Sequence, residues 1–129
     1  MRMLLRTLGA VTIGISLLLH PAAAVSLLSV TKTPYESFTC SIDFTALAGS
    51  DGIVLDAVIA TNVQTGADAT PVIVAASPVP AVVGSSDVVA FRVQGGANGQ
   101  SYLIGARVAD AMTGERFEGQ ITLVINSGR

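Results

Sequence analysis

From residue 38 onward, apolar and polar positions alternate in steps of two. Phe38, Cys40, Ile42 and Phe44 alternate with Thr39, Ser41 and Asp43. Val89, Phe91 and Val93 alternate with Ala90, Arg92 and Gln94. Tyr102, Ile104, Ala106 and Val108 alternate with Leu103, Gly105 and Arg107. Phe117, Ile121, Leu123 and Ile125 share one face, with Glu118, Gln120 and Thr122 on the other. Side chains of a strand point to opposite faces in turn, so this period belongs to strands with one face in a core and one outside. Ile53 to Ala60 is a nearly unbroken apolar run rich in β-branched residues, which also suits a strand. Val72-Ile73-Val74 predicts a further short strand, and Ser26 to Val30 a leading one.

Turn residues separate these runs. They are Gly49-Ser50-Asp51-Gly52, the stretch 62–70 with Gly66 and Asp68, the stretch 78–86 with two prolines, and Gly95-Gly96-Ala97-Asn98-Gly99. Glycine reaches positive φ without steric cost, which makes the 95–99 cluster a strong breaker. Thr113-Gly114 divides the last two runs, so residues 101–126 predict a β-hairpin. After residue 25 no apolar stripe repeats at helical spacing. About seven short strands with turns at this spacing predict an all-β fold: an immunoglobulin-like antiparallel β-sandwich over residues 25–129.

Residues 1–24 are a different kind of sequence. Arg2 and Arg6 precede an uncharged, mostly apolar run from Thr7 to Leu19, then His20-Pro21 and three alanines. A basic start, a short apolar core and small residues at the end have the layout of a secretory signal peptide. The apolar run would make a helix of only about 20 Å, short of a roughly 30 Å bilayer core, so no stable membrane span is expected. The other reading of this segment is an appended helix packed on a neighbouring subunit.

Composition narrows the function. Half of the residues are hydrophobic and 12% are charged, against about 25% charged in an average soluble protein. That excludes intrinsic disorder as a description of the chain. Seven cations against nine anions give a net charge of −2, which supplies no concentrated basic surface for nucleic acid. The one histidine, His20, lies in the N-terminal segment, so no Ser-His or Cys-His pair forms within the predicted domain. The one cysteine, Cys40, falls on an apolar strand face and reads as a small buried hydrophobe. Among the scattered carboxylates only Glu115 and Glu118 lie close in sequence, and these read as solvated hairpin residues rather than a glycosidase pair. No catalytic residue, cofactor or metal is expected.

The outer faces of the predicted strands are short of charge. Leu103, Thr122 and Val124 fall on one such face, where a monomer in water would carry more polar side chains. They are the candidate interface residues. A one-residue slip in register would instead turn them into the core.

Several segments resemble a family of small tailed-bacteriophage proteins, described as fibre–tail adaptor or neck/tail structural proteins. The resemblance begins at Thr31-Lys32-Thr33-Pro34-Tyr35-Glu36-Ser37-Phe38 and Ser41-Ile42-Asp43-Phe44. It continues through Val88 to Gly96 and Gly99 to Tyr102, and ends with Ala109-Asp110, Gly114-Glu115 and Ile121 to Ile125. It implies a non-catalytic structural role in the virion, with other virion proteins or copies of the chain as partners. Members of that family usually begin near the Lys-x-Pro segment, and residues 1–24 depart from that pattern. The departure supports the alternative expectation of a secreted or periplasmic adhesion or carbohydrate-binding domain.

Overall fold

The alternation at Phe38–Asp43 builds a strand, β4, whose residues are buried at every second position. The same rule builds β7 (Val88–Val93), β8 (Ser101–Asp110) and β9 (Arg116–Ile125). A computed structural model describes residues 2–7, 11–16, 24–48 and 52–128, with side chains from residue 28 onward. The other elements are β1 (Arg2–Thr7), β2 (Val11–Ser16), β3 (Ala24–Lys32), β5 (Ile53–Asn62), α1 (Thr70–Ile73) and β6 (Ala81–Val82).

Two sheets face each other. One has the order β3-β9-β8-β5, and the other contains β4-β7-β6. These seven strands form the expected sandwich. In immunoglobulin terms, the second, fourth and fifth strands of the sandwich make one sheet and the third, sixth and seventh make the other. The first strand, β3, joins the latter sheet and runs parallel to β9, while the other ladders among the seven are antiparallel. β1 and β2 are extended and pair with each other, and β2 meets β4 in parallel at Ser16 and Asp43. Where residues 1–24 are described they are extended, not the appended helix considered above; residues 8–10 and 17–23 of the signal-like segment, and the turn at 49–51, lie outside the described residues.

One predicted strand is replaced by a helical turn. Residues 70–73 form α1, with Pro71 at its start. Proline's fixed φ suits the first helical turn, and its missing N–H is not needed there. Asp68 accepts hydrogen bonds from the Thr70 amide and hydroxyl, at 3.0 and 2.6 Å, and sets the entry to this turn. The seventh strand comes instead from Ala81–Val82, inside the stretch that composition marked as a turn.

The core lies between the sheets. Ile42, Phe44, Val89, Ile104, Ile121 and Leu123 are fully buried, and Phe91 is 2% exposed. Cys40 and Ile104 are both buried in the same cluster, on the strands that antibody domains bridge with a disulfide. Ile104 follows Tyr102 by two residues, where an antibody domain carries its second cysteine. The Tyr102 hydroxyl accepts a hydrogen bond from the Ala97 amide at 3.2 Å. This is the tyrosine corner that ties the loop before the sixth strand to its start. Gly96 in that loop has φ +95°, and an added Cβ would lie 2.7 Å from Ile125. The glycine is required there by both conformation and space.

Candidate functional site

The candidate interface residues lie on the outer face of the four-stranded sheet. In β8 and β9 the inward set is Tyr102, Ile104, Ala106, Val108, Phe117, Ile121, Leu123 and Ile125. Leu103, Thr122 and Val124 point the other way, so the slipped register is not the one adopted. The ladders place them in rows across the sheet. Thr61, Leu103, Thr122 and Ser29 are neighbours across β5, β8, β9 and β3, and Ser101, Val124 and Thr31 form the next row. The three residues therefore form one patch, half-buried among their own neighbours.

Toward the other end of this face the sheet dips. A depression of about 100 Å³ is lined by Ile59, Thr61, Leu103, Gly105, Arg107, Glu118 and Gln120. Gly105 forms its floor because it has no side chain, and the Glu118 carboxylate lies over it, 3.3 Å from where a Cβ would stand. Glu118 is fixed from two sides. Arg107 donates to one oxygen at 2.7 Å and the Gln120 amide donates to the other at 2.6 Å. The Arg107 side chain is 57% exposed, so this pair orients groups more than it stabilises the fold. The face thus has an apolar end at Leu103 and Val124 and a charged end at Arg107 and Glu118.

Glu115 and Glu118 do not act as a pair. Glu118 is committed to Arg107 and Gln120, while Glu115 accepts from the Thr113 hydroxyl in the hairpin turn. Among the described residues no three of His, Cys, Asp and Glu converge in a way that could hold a metal. Burial pushes the Cys40 thiol up to about 12. The thiolate is the reactive form, so this sulfur is inert near neutral pH.

A lysine on an edge strand commonly faces solvent and guards the edge, yet Lys32 on β3 is 1% exposed. Its ammonium donates to the Thr33 carbonyl at 2.6 Å and to the Gly95 carbonyl. Burial lowers its pKa, with Glu36 opposing the shift. The alternation in β3 carries this signal, since Lys32 follows Val30 on the inward parity, but the charge hides it.

No family model, curated protein or solved structure matches the chain.

Proposed function

We propose that the protein is a non-catalytic structural module of a tailed-bacteriophage particle, at the neck, tail or fibre attachment. The outer face of the β3-β9-β8-β5 sheet is its docking surface. The observation that carries this is the joining of Leu103, Thr122 and Val124 into one uncharged patch at one end of the sheet face. An outer strand face that carries apolar side chains in place of charge suits contact with another protein. The resemblance to phage adaptor proteins supplies the particle, and other virion proteins or copies of the chain are the partners.

The second reading is a secreted or periplasmic adhesion or carbohydrate-binding domain. The signal-like layout of residues 1–24 favours it, and the polar depression at Arg107, Glu118 and Gln120 would be its binding site. Mass spectrometry of purified phage particles and of the culture medium separates the two. The chain in particles, in several copies and with residues 1–24 attached, is the expected result. A chain found only outside particles, with Val25 as its first residue, supports the second reading and overturns the first.

A further inference from the structure

Among the described residues no strand pairs with the outer side of β3, and we infer that it pairs antiparallel with β3 of a second copy of this chain. The inference is independent of the virion reading. Along a strand, backbone groups of successive residues face opposite neighbours. The Lys32 carbonyl accepts from the Asn126 amide on the β9 side. By that alternation Val30 also faces β9, and the N–H and C=O groups of Ser29 and Thr31 face outward.

Edges of this kind attract other strands and are normally guarded. The β5 and β6 edges have such guards. In β5 a bulge falls between Leu55 and Ala57 and carries Asp56. Further along β5, the Ala60 amide is bonded to the Thr70 hydroxyl, the Ala60 carbonyl to the Ala69 amide, and the Asn62 amide to the Ala67 carbonyl. β6 is two residues long and follows Pro80. β3 runs for nine residues with neither proline nor charge before Lys32, whose ammonium is turned inward onto Gly95.

Charge and symmetry favour a second copy as the occupant. A strand without exposed charge can lie antiparallel to itself without like charges meeting. With Val30 on the two-fold axis, Ser29 stands opposite Thr31 of the second copy, so the outward groups of each strand meet those of the other. Inward and outward residues then match across the junction, and two four-stranded sheets become one of eight. The guarded β5 edges lie at both ends, so the assembly closes at two rather than growing into a fibre.

Sedimentation velocity of the full chain tests this, with Thr31→Pro and Ser29→Lys as variants. Proline at 31 removes an outward N–H without touching the β9 ladder. Lysine at 29 brings like charges to the junction, and it stands as the test if proline disturbs the fold. Wild type is expected to be a dimer, and a folded variant is expected to raise the dissociation constant about tenfold or more, the effect of losing roughly 1.4 kcal/mol. Amide exchange at Ser29 and Thr31 should slow as concentration rises. A wild-type monomer, or a folded Ser29→Lys variant that dimerises as well as wild type, overturns the inference. So does protection independent of concentration, which would mean that the edge is covered within a single chain.

Discussion

Phe91 is an aromatic residue packed mid-strand between the buried Val89 and Val93. Truncating a buried Phe typically costs about 3–5 kcal/mol, and a domain has only about 5–15 kcal/mol in total. Phe91→Ala should therefore lower the melting temperature by many degrees in thermal unfolding followed by circular dichroism. Lys32 leaves a signature in pH rather than in temperature. Burial lowers its folded pKa below the ordinary lysine value. As pH rises through the folded value toward the ordinary one, the folded chain releases this proton before the unfolded one does. The unfolded state then binds more protons, and stability rises with pH. Denaturant titrations across that window should show wild type gaining stability relative to Lys32→Met. Parallel pH curves for the two chains would mean that the amine is solvated.

The β8–β9 hairpin and its approach loop join packing to the proposed function, because they carry Leu103, Thr122 and Val124. Gly96 holds the loop close to Ile125, and a side chain there meets both a clash and a positive φ. Forcing such a conformation costs about 1–3 kcal/mol, so Gly96→Ala should destabilise clearly in denaturant titration. Tyr102→Phe should cost only about 1 kcal/mol, the net value of one hydrogen bond. The hairpin was legible in the sequence because alternation, Thr113-Gly114 and the 95–99 glycines all agree. Leu103, Thr122 and Val124 were legible as outward residues for the same reason. The stretch 70–82 was not legible. Val72-Ile73-Val74 has strand propensity, yet Pro71 and the Asp68–Thr70 bonds start a helical turn, and local geometry overrides propensity over so few residues. The depression was equally hidden. It depends on Glu118, opposite Arg107 in the ladder, leaning over Gly105 two residues along, and that juxtaposition exists only once the register is set.

At the scale of the whole molecule, two surfaces of the sandwich are proposed for association: the outer face of one sheet and the β3 edge beside it. The face is the part that the virion reading requires. Position 124 distinguishes the account most directly, since Val124 lies on that face while its neighbours Leu123 and Ile125 are in the core. The decisive measurement compares wild type and Val124→Lys for melting temperature and for copies recovered per purified phage particle. A surface substitution changes stability by about 0.5 kcal/mol or less, so the variant should melt close to wild type while its recovery in particles falls sharply. A folded Val124→Lys chain that enters particles as well as wild type would contradict the account.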